Sequence, residues 1–144
     1  MNGDDEKTMK PDGGNAAFDQ TRSDARRAEE HLVEPENALP PVTLPALPPK
    51  LQEACARAGW PSLVPVQAKA LPYLRARRDI MVQSRTGSGK TGAFLLPILE
   101  RADPAKATCQ ALVLVPTREL AHQVTRDAET LFKDTGVRTV PVYG

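Results

Sequence analysis

From residue 42 onward, apolar positions recur in two alternating periods, and the switches between them mark out the elements. Leu47, Leu51, Ala54, Cys55 and Ala58 repeat at helical spacing, with Gly59 where a helix ends in a left-handed residue. This predicts a helix from about Pro48 to Ala58. A second helix is expected over Val66 to Arg75, bent or shortened by Pro72, with the basic cluster Arg75, Arg77 and Arg78 at its far end. Ile80-Met81-Val82 reads as a short buried strand, and Thr91 to Arg101 as the helix that follows. The near-continuous apolar run Gln110 to Val115 fits a parallel strand covered on both faces. Thr117 can cap the next helix, whose apolar stripe is Leu120, Ala121, Val124, Ala128, Leu131 and Phe132, and Arg138 to Tyr143 reads as a third strand. The order is helix, helix, then strand, helix, strand, helix, strand. It predicts an α/β domain with a parallel sheet and right-handed crossovers over residues 42–144.

Residues 1–41 break the pattern. They are rich in Asp, Glu, Gly and Pro, and their few apolar residues cannot offset the entropy of ordering them. A disordered acidic tail is expected, with at most a transient charged helix over Ser23 to His31. The charge divides at the same place: ten acids against five bases in the tail, fourteen bases against eight acids behind it. A positive folded part suits a polyanionic partner, although such an excess also describes an ordinary solvated surface. Cys55 and Cys109 follow no metal-ligand spacing and cannot make a disulfide framework, which points to a reducing compartment. A start too polar for a signal peptide and the lack of a membrane-length apolar stretch complete the expectation of a soluble, cytoplasmic chain.

Between the first expected strand and its helix lies Ser84-Arg85-Thr86-Gly87-Ser88-Gly89-Lys90-Thr91. A glycine-rich turn in that position wraps the phosphates of a nucleotide with backbone N–H groups, aided by the positive end of the helix. Lys90 can reach the terminal phosphates as a compact charge, and the Thr91 hydroxyl can face the accompanying Mg2+. The strict form of the pattern has glycine where this chain has Ser84.

Three segments in this order and spacing resemble the front end of the DEAD-box ATP-dependent RNA helicases. Ala58-Gly59-Trp60 followed by Val64-Pro65-Val66-Gln67 is similar to that family's Q motif. Ser84 to Thr91, continuing into Gly92-Ala93-Phe94 and Leu96-Pro97-Ile98, is similar to its phosphate loop and helix. Pro116-Thr117-Arg118-Glu119-Leu120-Ala121 matches its motif Ia letter for letter. The resemblance implies a RecA-like P-loop NTPase domain and ATP bound with Mg2+ by Trp60, Gln67 and the loop residues Arg85, Thr86, Gly87, Ser88, Gly89, Lys90 and Thr91. Lys90 and Thr91 would serve catalysis, and Thr91 would touch the metal. A glutamine amide can pair with the amino group and neighbouring ring nitrogen of adenine, so Gln67 would select ATP, while Trp60 would stack on the base. Outside that context Trp60 reads as a packing residue and Gln67 as a solvated helix residue. In motif Ia, Thr117 and Arg118 would touch RNA phosphates, giving little sequence preference and strong salt dependence; as a plain helix start, Thr117 caps and Arg118 pairs with a surface acid.

This chain departs from the family pattern at Val42, where an aromatic is usual, and at Leu63-Val64, where a Pro-Thr pair is usual. No apolar strand ending in paired acids follows Thr91. The family's aspartate-glutamate motif and second domain are therefore expected beyond Gly144, and the 144 residues by themselves are expected to be inactive. Three readings stand: the N-terminal fragment of an enzyme that couples ATP hydrolysis to RNA unwinding, a non-hydrolysing nucleotide- and RNA-binding remnant, or an unrelated phosphotransferase with the same loop, which leaves motif Ia unexplained.

Overall fold

The computed structural model describes residues 36–144, with a compact unit from Leu39 to Gly144. Most of the expected acidic tail, including Ser23 to His31, lies outside the described residues. Four helices form the unit: α1 (Pro49–Arg57), α2 (Pro65–Arg75), α3 (Lys90–Arg101) and α4 (Arg118–Phe132), preceded by a 3-10 turn at Leu44–Ala46. Each starts and stops for a local reason. Pro49 and Pro65 open α1 and α2, where a missing N–H costs nothing. Thr117 caps α4, its hydroxyl accepting the Leu120 N–H at 3.2 Å. At the end of α1, Gly59 is left-handed at φ 71°, and the Trp60 N–H closes onto the Cys55 carbonyl at 2.9 Å. The end of α2 repeats this closure, Arg78 N–H to the Tyr73 carbonyl at 3.0 Å, with Arg77 forced to φ 59°.

Pro72 lies inside α2 and does not end it. Its ring removes the N–H that would have bonded the Ala68 carbonyl. That carbonyl instead accepts the N–H of Val42 at 3.0 Å, and one turn on, the Tyr73 hydroxyl accepts the N–H of Leu39 at 2.8 Å. The lead-in segment is thereby fastened along α2.

The helices share one core. α3 touches each of the other three, and α1 also packs on α4. Leu51 and Cys55 of α1, Leu71 of α2, Leu95, Leu96 and Leu99 of α3, and Leu131 and Phe132 of α4 are all buried. The faces are those anticipated from the spacing, except that Leu120 remains exposed at the start of α4.

The expected strands are not formed: among the described residues, no ladder joins Ile80–Val82, Gln110–Val115 or Arg138–Tyr143. A parallel strand needs paired backbone on its flanks and cover on both faces. Here Met81, Leu112, Leu114, Val140 and Val142 are open to solvent. Gln110, Ala111 and Leu112 border a cleft of about 370 Å3 beside Leu74, Phe94 and Ile98. With these side chains open, the apolar runs lack the cover that would lock a ladder.

Candidate functional site

The loop Ser84 to Gly89 ends at the first turn of α3, with Gly89 as its left-handed N-cap at φ 90°. A side chain at Gly89 would be strained twice over, because its Cβ would stand 2.7 Å from Val64 Cγ2 and 3.1 Å from Gln67 Nε2. Within the loop the Ser88 N–H bonds the Arg85 carbonyl at 3.3 Å. Lys90 folds back over it: Nζ donates to the Ser84 carbonyl at 2.6 Å, the Arg85 carbonyl at 2.5 Å and Ser88 Oγ at 3.4 Å. All three ammonium hydrogens thus have acceptors in the loop. Thr91 is half-buried in the first turn, while Arg85, Thr86 and Gly87 are exposed.

Gln67 is buried, 3% exposed, at the third position of α2. Its Oε1 accepts the Val64 N–H at 3.1 Å, satisfying one orphan donor of the helix start. Its Nε2 donates to the Gly89 carbonyl at 3.2 Å, joining α2 directly to the phosphate loop. Trp60 arrives from the turn after α1 and lays its six-membered ring on Gly92. A Cβ at Gly92 would stand 2.5 Å from Trp60 Cη2 and 2.5 Å from Gln67 Nε2. Trp60, Gln67, Gly89 and Lys90, separate in sequence, therefore meet at one end of α3. Gly92 was absent from the sequence-based site, yet a glycine inside a helix is itself a signal of close approach.

A second cluster forms at the start of α4. Thr117 acts there as the cap described above, and Arg118 is exposed. Its guanidinium lies 5.6 Å from the ring centroid of Tyr143 and donates to the backbone oxygen of Gly144. His122 meets the same ring, centroids 5.1 Å apart. Neither His122 nor Tyr143 figured in the sequence-based site, because the contact joins residues distant in sequence. Among the described residues, no group of three His, Cys, Asp or Glu side chains could hold a metal, and no helix is long and apolar enough to cross a membrane.

Residues 64–144 match the family model described as DEAD/DEAH box helicase. The chain belongs to that family. Among curated relatives, it is 39% identical over 94 residues to the DEAD-box ATP-dependent RNA helicase CshA of Bacillus licheniformis, covering 65% of this chain and 19% of the relative. It is 43% identical over 95 residues to the ATP-dependent rRNA helicase rrp3 of Emericella nidulans, covering 66% of this chain and 20% of the relative. Among solved structures, the RNA helicase Prp28 of Chaetomium thermophilum bound to ADP aligns with TM-score 0.62 at 32% identity, over 78% of this chain and 27% of that one. S. cerevisiae Dbp5 bound to Nup159, Gle1, IP6 and ADP aligns with TM-score 0.58 at 35% identity, over 64% of this chain and 25% of that one. The chain spans about a fifth of the length of these curated relatives.

Proposed function

We propose that this chain is the N-terminal part of an ATP-dependent RNA helicase, binding ATP at the start of α3 and RNA at the start of α4. The whole protein would couple ATP hydrolysis to separation of an RNA duplex. In this reading residues 42–144 belong to a RecA-like α/β domain, whose three apolar runs become parallel strands once both faces are covered. Residues 1–41 are an acidic tail, and the protein works in the cytoplasm. The observation that carries the proposal is the bond from Gln67 to the Gly89 carbonyl, which joins the base-selecting segment to the phosphate loop.

The chemistry follows from these atoms. Phosphate oxygens are stronger acceptors for an ammonium than the neutral carbonyls of Ser84 and Arg85, so an arriving nucleotide takes over the donors of Lys90. Gln67 keeps a second lone pair on Oε1 and a second hydrogen on Nε2, which adenine requires. Trp60 supplies an aromatic surface beside it. Mg2+ would meet the Thr91 hydroxyl beside the phosphates. Arg118 and the N-terminus of α4 offer donors and positive potential to RNA phosphates without reading bases. The relatives' names favour this reading over a non-hydrolysing remnant.

The test is equilibrium binding of fluorescent adenine and guanine nucleotides to the chain. Lys90→Ala should abolish binding with the unfolding midpoint unchanged, and equal affinity in the variant refutes the phosphate-loop assignment. Gln67→Ala should erode the preference for adenine, while unaltered selectivity removes Gln67 from the base site.

A further inference from the structure

Arg118 and His122 are four residues apart on α4 and therefore share one face of the helix. Tyr143, from the last extended segment, lies against both. The guanidinium is 5.6 Å from the ring centroid, and the imidazole meets the ring at 5.1 Å with the planes inclined by 60°. The first distance is within cation–π range, and the second is that of a tilted aromatic pair. The next residue, Gly144, accepts a hydrogen bond from the same guanidinium. An arginine on a first helical turn otherwise samples many rotamers and loses that freedom when it grips a phosphate.

We infer that Tyr143, steadied by His122, is a positioning residue for RNA binding: its ring holds the guanidinium of Arg118 ready for a phosphate. The inference rests on the proposed role of Arg118 toward RNA. A cation–π contact engages the charge of the guanidinium without using its N–H donors, and beyond the one bonded to Gly144 these remain for a phosphate acceptor. The Tyr143 hydroxyl has no part in it, and the π-face is what matters. Tyr143 is 49% exposed, so changing it leaves the core intact.

The experiment is fluorescence anisotropy of a labelled single-stranded oligouridylate with the full 144-residue chain across a salt series, for single and double variants. Arg118→Ala should weaken binding and lower the salt slope by about 0.7, the share of one phosphate contact on a single strand. Tyr143→Leu should weaken binding about two- to fivefold, as expected for an exposed cation–π pair, and Tyr143→Phe should restore it. In an Arg118→Ala background, Tyr143→Leu should cost nothing further. If Tyr143→Leu costs as much in that background as in the wild type, Tyr143 touches RNA itself and the positioning role is overturned. Failure of Tyr143→Phe to restore binding also overturns it. If Arg118→Ala leaves both affinity and salt slope unchanged, the RNA role of Arg118 fails, and the inference falls with it.

Discussion

Replacing Gly92 with alanine tests the junction between Trp60, Gln67 and the phosphate-loop helix. The new methyl would stand 2.5 Å from Trp60 Cη2, 2.8 Å from Trp60 Cζ3 and 2.5 Å from Gln67 Nε2. Carbon contacts are comfortable near 3.5 Å, so the indole must withdraw by about 1 Å. The ring is rigid and packed against the core, and the Gln67 amide is tied at both ends, so neither neighbour yields freely. Overpacking of this kind costs about 1–3 kcal/mol. Alanine in a helix returns about 1 kcal/mol relative to glycine. The net expectation is a loss of about 1 kcal/mol, with the urea midpoint falling by roughly 0.3–1 M for ordinary slopes. Urea unfolding followed by helical circular dichroism measures this, and emission from Trp60, the one tryptophan of the sequence, reports the displaced ring. Trp60→Ala should remove part of the penalty, so that the double variant loses less stability than the two single variants summed. If Gly92→Ala is more stable than the parent by the helix-propensity increment, with Trp60 emission unchanged, the close approach of Trp60 and Gln67 to Gly92 does not exist in solution.

Arg77→Gly should stabilise the chain by about 1 kcal/mol, because a left-handed residue with a Cβ closes α2 where glycine closes α1; chemical denaturation checks it, and a loss of stability would contradict the assigned turn. Native protein treated with a maleimide should be labelled at exposed Cys109 and spared at buried Cys55, whose thiol burial holds above its ordinary pKa; mass spectrometry with and without denaturant distinguishes one adduct from two. The same shift has a sign: the unfolded chain releases the Cys55 proton first, so its contribution is complete below the ordinary thiol range and declines as pH rises through it, a decline that Cys55→Ala should remove from the stability profile. Arg75 pairs with Glu100 at 3.0 Å on a partly exposed surface, so Glu100→Gln should cost under about 1 kcal/mol, less in high salt, as denaturation at two ionic strengths would show.

The four helices were legible because each is set by spacing within itself and by local stops, as Leu51, Ala54 and Cys55 before Gly59 illustrate. The strands were legible as apolar runs but not as a sheet, since a ladder depends on neighbouring backbone and on cover that Leu112, Leu114 and Val142 lack. In the candidate site, Lys90 and Gln67 stood out by residue type and motif spacing. The partners that give them geometry did not: the Gly89 carbonyl for Gln67, the Ser84 and Arg85 carbonyls for Lys90, and Tyr143 for Arg118. Each of those contacts crosses between elements or depends on a turn's exact path, which periodicity does not encode. Pro72 does not shorten α2, and the Ala68 carbonyl that it orphans takes another partner, Val42, which spacing within the helix does not encode.

That substitution of partners divides the unit into parts of unequal permanence. Leu39 and Val42 are held to α2 by bonds that the helix does not need, since its own ladder already runs without a donor at Pro72. The lead-in can therefore open and reclose as a local event while α2 stays wound, exposing its amides to exchange well before the helix does. A helix with alanine at 72 would be more regular on its own, yet its new N–H would share the Ala68 carbonyl with Val42. The irregularity of α2 and the seating of the segment before it are one property, and a substitution that corrects the first loosens the second.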